Sequence, residues 1–451
     1  MSSIPVILIF DIGKTNKKLF LFDANYQIVY KKIVSLPETV DEDGFPCENL
    51  KDLNSFIFDS LNEVLKLDVY KVKAINFSAY GASFVNLGFD GSTITNLFNY
   101  LKPYPELLAQ KFYKKYWGEE KFSTITASPM LGSLNSGLQL YRLKNENPIA
   151  FKNLKYALHL PQYLSFLLTG KCFSDITSIG CHTALWDFKK HQYHPWVYKE
   201  HVNDKLAPIA KVNKIQQIEY NGQSFMVGIG IHDSSSALVP YLKIFKEPFV
   251  LISTGTWSIS FNPFNKSELT SDELKVDCLN YFQYQGRPVK ASRFFLGNIH
   301  DNQCIRISKY FNQDLLKYKS LEFDLHLINN FKENKALTLS FDTIDLSIFS
   351  NYEEAYHALM IFLVNKQIES TILVLRNSNI KRIFIDGGFS NNSIFTNLLA
   401  LCLPEMKVFS ANLAEATALG AALVLHKNWN KSKMQKNLIN LKRYKVSKSK
   451  F

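Results

Sequence analysis

The sequence is poor in cysteine and lacks the signatures of several enzyme classes. Six cysteines, at 47, 172, 181, 278, 304 and 402, are scattered over 451 residues. None forms a CxxC and none stands with His at zinc-ligand spacing, so neither a zinc site nor a disulfide framework is expected. No GxxxxGK[ST], HExxH or GxSxG occurs, which removes the main support for P-loop, zincin and nucleophile-elbow readings. Gly228-Ile-Gly230 opens like a dinucleotide fingerprint, but Asp233 stands where the third glycine belongs. Long hydrophobic runs are missing too. The apolar stretch Ile4 to Phe10 is closed by Asp11 and follows no basic segment, too short for a signal-peptide core or a membrane span. No run elsewhere is read as reaching transmembrane length. A soluble, reduced, cytoplasmic protein is the expectation.

What is present is ordinary for a globular chain: 46% hydrophobic and 20% charged residues. The length suits two large domains or three smaller ones, with cores that need no staple. The net charge of +12 is concentrated at the end, where residues 427–451 hold eight lysines and Arg443 and no acid. Nucleic-acid binders spread their basic stripe over a folded face, so this tail reads as a solvated terminal segment. Neither nucleic acid nor a membrane is an expected partner. Met434, Leu438 and Leu441 recur at helical spacing, which offers part of the tail a docking face.

The apolar pattern alternates between strands and helices. Strands are predicted at 5–10, 19–22, 28–30, 72–77, 224–230, 249–253, 257–261, 382–385 and 408–409. Helices are predicted over 50–67, 138–145, 161–168, 355–375 and 414–426, with residues 105–200 mainly helical. Gly170 suits a helix C-cap, and Asp233 a helix N-cap. Two halves, 1–244 and 245–428, each open with strand, Gly-containing turn and strand, then continue into α/β alternation, and a basic tail, 429–451, follows. This implies an α/β protein with a mixed sheet in each half and an internal structural repeat.

Three turns at strand ends could present backbone N–H groups to phosphate. In Asp11-Ile-Gly-Lys-Thr-Asn16, Asp11 suits Mg²⁺ through water, and Lys14, Thr15 and Asn16 would face phosphate oxygens. The competing reading is a hairpin whose Asp bonds its own turn. Ser253-Thr-Gly-Thr256 carries the same ambiguity. Asp386-Gly-Gly-Phe-Ser-Asn391 lets a ring or phosphate approach the backbone near a helix start, or is a packing turn. Asp233, after an apolar strand, could accept a hydroxyl proton in phosphoryl transfer. As an N-cap it would only serve the helix.

Taken in order, these segments resemble the sugar kinases of the FGGY family, within the actin-like ATPase superfamily. Asp11-Ile-Gly-Lys-Thr-Asn16 is similar to the first phosphate motif, and Gly230-Ile-His-Asp-Ser-Ser-Ser-Ala237 to the segment with the catalytic Asp. Ser253-Thr-Gly-Thr-Trp-Ser258 is similar to the second phosphate hairpin. Ile385-Asp-Gly-Gly-Phe-Ser-Asn-Asn392 is similar to the adenosine motif, and Glu415-Ala-Thr-Ala-Leu-Gly-Ala-Ala422 to the connecting helix. The His-Asp pair and Ser-Thr-Gly-Thr-Trp-Ser look most like rhamnulokinases and fuculokinases.

The resemblance implies two actin-like (ribonuclease H-like) domains with a catalytic cleft between them, the first binding sugar and the second nucleotide. It implies ATP-dependent phosphorylation of a ketose such as L-rhamnulose or L-fuculose, with Asp233 as catalytic base and Mg²⁺ at Asp11. Gly13, Lys14, Thr15, Asn16, Gly255, Thr256, Asn298, Gly387, Gly388 and Asn392 would then bind ATP, while Tyr80, Gly81, His232 and Asp233 would bind sugar. Four positions depart from the family pattern. Lys14 and Asn16 replace small or hydroxyl residues, Ser83 replaces Asp, and Phe389 replaces a glycine. The sugar and the oligomeric state, a homodimer included, stay open. The alternatives are a non-kinase actin-like ATPase and a nucleotide-binding regulator.

Overall fold

The computed structural model describes residues 3–330, 341–413 and 415–445. Ala414, where the last predicted helix begins, and the final residues of the basic tail, 446–451, lie outside them.

The first sheet is built from β1 (Ile4–Ile12), β2 (Lys17–Asp23), β3 (Ile28–Val34), β4 (Tyr70–Ala79), β5 (Ile215–Tyr220) and β6 (Gln223–Gly228). Its order is β5-β6-β4-β1-β2-β3, and the short β7 (Ile231–His232) also pairs with β4. β1 runs antiparallel to β2 and parallel to β4. The run in β1 is continuous rather than alternating because both faces are buried. Val6, Leu8, Phe10 and Ile12 share a core with Leu53, Phe56, Ile57, Leu61 and Val64 of α1 (Leu50–Leu65). Ile7 and Ile9 belong to another core, described below. Asn49 caps α1, its side chain accepting from the N–H groups of Lys51 and Asp52. The predicted turn at 11–16 is shorter than expected, because Asp11 and Ile12 continue β1.

The middle segment is less uniformly helical than its pattern suggests. The expected helices appear as Ser136–Glu146 and α2 (Leu160–Thr169), the second closed by Gly170 at φ +62°. Short strands nevertheless interrupt them, such as Phe84–Leu87 against Tyr156–His159. Aromatic packing around the fully buried Trp196 and Phe112 fixes this layer.

The second sheet repeats the plan. It contains β8 (Val250–Thr254), β9 (Ser258–Asn262), β10 (Cys278–Phe282), β11 (Pro288–Phe294), β12 (Arg382–Gly387), β13 (Lys407–Asn412) and β14 (Asn440–Tyr444). The order is β10-β11-β9-β8-β12-β13-β14. β8 is antiparallel to β9 and parallel to β12, as β1 is to β2 and β4. The helix Tyr352–Leu375 is long and apolar enough to cross a membrane by length and composition, contrary to the reading that no run reaches that length. It lies in the core of this half, with Tyr356, Leu359, Met360 and Leu363 buried.

Two helices join the halves. α3 (Asp233–Ile244) follows the first sheet, yet its Leu238 and Tyr241 lie in the core of the second. The Ala416–Val424 helix follows the second sheet, yet Ala418, Leu419, Ala421 and Ala422 share a core with Ile7 and Ile9 of β1. They cross at Gly420, where a Cβ would stand 1.9 Å from the carbonyl oxygen of Ser236. The Ser236 hydroxyl donates to the Thr417 carbonyl at 2.7 Å.

The tail docks, but as a strand. β14 pairs antiparallel with β13 and occupies the place that β5 has in the first sheet. Leu441 and Tyr444 pack on the second core, while Met434 and Leu438 pack on the core shared by β1 and the Ala416–Val424 helix. Pairing an otherwise open sheet edge outweighs the helical spacing of these residues. A chain lacking 431–451 is therefore expected to melt lower, by about 1 °C for each kcal/mol lost at this chain length, and to aggregate more readily. Its folded fraction should keep its turnover, since no predicted site residue lies there. A melting temperature equal to that of the full chain would contradict the docking.

Candidate active site

The carboxyl ends of the central strands, together with the N-terminal ends of the two crossing helices, gather the predicted site residues. Asp11 does not bond its own turn. Its Oδ2 accepts from the Thr417 hydroxyl at 2.8 Å, so the end of β1 is tied to the first turn of the Ala416–Val424 helix. Burial, helped by the nearby charge of Asp233, pushes the Asp11 carboxyl up to about 6, against the Thr417 hydrogen bond and Lys18, which lower it. Lys18 pairs with Glu415 at 2.8 Å across the halves.

The turn that follows is held from beneath by a group the sequence reading missed. Lys17, almost wholly buried, donates to the carbonyls of Gly13 (3.1 Å) and Lys14 (3.0 Å) and pairs with buried Glu48 at 2.8 Å. Glu48 also accepts from the Tyr80 hydroxyl at 3.2 Å. Tyr80 thus has its hydroxyl committed and offers its ring, which lies 6.0 Å from that of Tyr100. Lys14 leans away into an ion pair with Glu38, and Asn16 accepts from Ser35. Thr15 is exposed.

Asp233 is the first residue of α3 rather than its cap, which is His232. Its Oδ1 accepts from the N–H of Ser234, a local bond that an N-terminal Asp makes readily. The side chain is about one-third exposed, and its Oδ1 lies 3.2 Å from Nε2 of buried His232. Burial lowers the His232 pKa more than Asp233 raises it, so the imidazole is neutral at pH 7. The ring is parallel to that of Tyr281, 6.3 Å away, and Nε2 is 3.3 Å from the Cys181 sulfur. The backbone N–H of His232 donates to the Thr177 hydroxyl. A Cβ on Gly81 would come within 2.9 Å of His232 Nε2, which is a packing reason for glycine there. Ser83 is buried, its hydroxyl donating to the Phe98 carbonyl. Asp233 therefore stands between two environments, with Asp11 and the first turn on one side. On the other its charge is felt by Tyr100, Cys181 and Tyr281, whose pKa values are raised mainly by burial.

A cavity of about 560 Å³ opens in the second half, lined by Gly255, Thr256, Gly297, Gly388, Phe389 and Asn392 among others. The β8–β9 turn rests on the helix Leu296–Tyr310, with the Gly297 N–H donating to the Thr256 carbonyl at 3.1 Å. Asn298 sits in the first turn of that helix and accepts from Asn302. Gly387, at φ +83°, is structural, because a Cβ there would lie 1.9 Å from the Thr254 carbonyl oxygen. Gly388 has open space where its side chain would be. Asn392 caps the helix Ser393–Cys402 and donates to the Tyr356 hydroxyl at 2.9 Å. Phe389 is buried against Phe395 and His300 while its edge lines the cavity.

Residues 6–232 match the N-terminal domain of the FGGY family of carbohydrate kinases. The chain belongs to this family. The match ends at His232, one residue before Asp233. Curated relatives include a rhamnulokinase of Halalkalibacterium halodurans, 24% identical over 55% of this chain, and one of Oceanobacillus iheyensis, 22% identical over 79%. The alignments span 54% and 78% of those proteins, so this chain matches about half the length of the first. Among solved structures, a carbohydrate kinase from Novosphingobium aromaticivorans superposes with a TM-score of 0.79 at 22% identity, covering 98% of this chain and 94% of that one. The likeness shows the two-domain, actin-like α/β fold of FGGY sugar kinases, as the sequence motifs imply.

No group of three or more His, Cys, Asp or Glu side chains that could hold a metal occurs among the described residues. Asp11 and Asp233 nevertheless fit Mg²⁺, which binds through one or two carboxylates and completes its shell with water and phosphate oxygens. A cation held at Asp11 would offset the negative charge that Asp233 places beside it.

Proposed function

We propose that this chain is an ATP-dependent kinase that phosphorylates a hydroxyl of a small ketose, with 6-deoxy ketohexoses such as L-rhamnulose and L-fuculose as the leading candidates. The observation that carries the reading is the position of Asp233, whose charge reaches Asp11 at the first turn on one side and Tyr100, Cys181 and Tyr281 on the other, with His232 at 3.2 Å. ATP would bind with its base and ribose in the cavity beside Gly388, Phe389 and Asn392. Its phosphates would lie between the turns at Gly13–Asn16 and Gly255–Thr256, and Asn298 would meet the adenosine. Mg²⁺ held through Asp11 would supply charge neutralisation on the phosphates.

The remaining work falls to the chain. Asp233 accepts the proton of the attacking hydroxyl late, as the loose transition state collapses. Neutral His232 supports one carboxylate oxygen of Asp233 and presents its ring edge beside Gly81, at the sugar. Lys17 and Glu48 hold the first turn rigid, so the phosphate N–H donors need no reorganisation. Lys14, paired with Glu38, would have to exchange that partner to meet a phosphate.

The rhamnulokinase names of the curated relatives support the ketose assignment. The test is His232→Ala. Losing a hydrogen bond to a charged group costs about 1.5–3 kcal/mol. The variant should therefore lose roughly 10- to 150-fold in kcat/KM for the sugar, with the KM for ATP unchanged. Sugar kinetics equal to those of the parent would remove His232 from the sugar site.

A further inference from the structure

A second cavity, of about 640 Å³, lies at the far ends of the two crossing helices. Lys243 in the last turn of α3, Lys427 just beyond the Ala416–Val424 helix, and Lys211 before β5 line it. No Asp or Glu lines it. Lys243 is half-buried, with its Nζ 5.2 Å from the ring centroid of Tyr284 in the β10–β11 turn, which closes another side. Burial lowers the Lys243 pKa and the neighbouring charge of Lys427 lowers it further. Among the described residues, no ion pair neutralises any of the three lysines. A helix C-terminus welcomes one cation in its last turn. That accounts for Lys243 and Lys427 one at a time, but not for Lys211, nor for three cations around one cavity.

We propose that this cavity binds a small phosphorylated organic anion, held by Lys211, Lys243 and Lys427. Its volume lies within the range of about 300–1,000 Å³ typical of small-molecule sites. Inorganic phosphate would leave most of it unfilled, and Ile176, Val212 and Val424 offer apolar wall to a carbon skeleton. An anion there neutralises mutual repulsion that the folded chain otherwise bears. It also links the C-terminal ends of the helices whose N-terminal ends carry Asp233 and Thr417. By helix rise, Lys243 is about 15 Å from Asp233, so this site is distinct from the active site. The inference rests on the cavity and its lysines alone and does not depend on the kinase reading.

The test is calorimetric titration of ribose 5-phosphate, and separately of inorganic phosphate, into the full chain and into its Lys211→Gln/Lys427→Gln variant. Both lysines are exposed, so the variant should keep the fold, and an unchanged melting temperature checks this. Any binding at the active site is common to both proteins. The expected result is a salt-sensitive event with ribose 5-phosphate that weakens at least tenfold in the variant, and weaker binding of phosphate alone. Identical isotherms for the two proteins, or no ribose 5-phosphate binding to the parent, would overturn the proposal.

Discussion

Asp233→Asn is expected to lower kcat by about 10²–10⁴-fold while sugar and ATP still bind. That factor corresponds to about 3–5 kcal/mol of transition-state stabilisation. Asn has nearly the same shape as Asp and keeps a hydrogen-bonding group at the position that His232 and the Ser234 N–H address. What it lacks is the basic oxygen. A sugar hydroxyl is too weak an acid to be ionised by a carboxylate in the ground state, so the loss should fall on kcat rather than on either KM. Single-turnover measurements with saturating sugar and Mg·ATP separate the two effects. Near-native turnover in the Asn variant would return Asp233 to its local role at the start of α3.

Gly420→Ala should damage the fold at its narrowest point. Its Cβ would meet the backbone of Ser236 at 1.9 Å, and backbone cannot rotate aside as a side chain can. Overpacking of this kind costs about 1–3 kcal/mol and occasionally more. The crossing helices must separate or slide, and they carry Asp233 and Thr417 at their N-terminal ends. Activity should therefore fall together with the melting temperature, which at this chain length moves by about one degree per kcal/mol. An Ala variant with the parent's melting temperature and kinetics would show that the crossing is looser than its geometry.

The element types were legible where burial leaves a continuous apolar run or a helical period. The β1 run, the α1 face at Leu53, Phe56, Ile57, Leu61 and Val64, and the paired strand–turn–strand openings all read directly from the residues. The tail did not, because Leu441 and Tyr444 take their conformation from pairing with Ala411 and Val408 on the edge strand β13 rather than from their own spacing. The core helix Tyr352–Leu375 passes a membrane-span test on composition while burying its apolar residues among strands, a distinction that only tertiary packing supplies. At the site, chemistry-bearing turns were readable, since Gly, Asp and Thr at strand ends carry local signals. The supports were not. Lys17 looks like a solvated lysine at a strand start, and Glu48, its partner, lies 31 residues away. Thr417 carries no sign in the sequence that it bonds Asp11, and Asn392 and Gly387 gave no sign of how far packing and capping already occupy them.

The most direct test of the account is transfer of the labelled γ-phosphoryl group from ATP to a panel of ketoses, aldoses and polyols, with the product identified by mass and ³¹P NMR. The account predicts Mg²⁺-dependent formation of a sugar monophosphate, fastest with L-rhamnulose or L-fuculose and slowed about 10²–10⁴-fold by Asp233→Asn. Release of inorganic phosphate at a rate that no sugar alters, with no sugar phosphate formed, would contradict it.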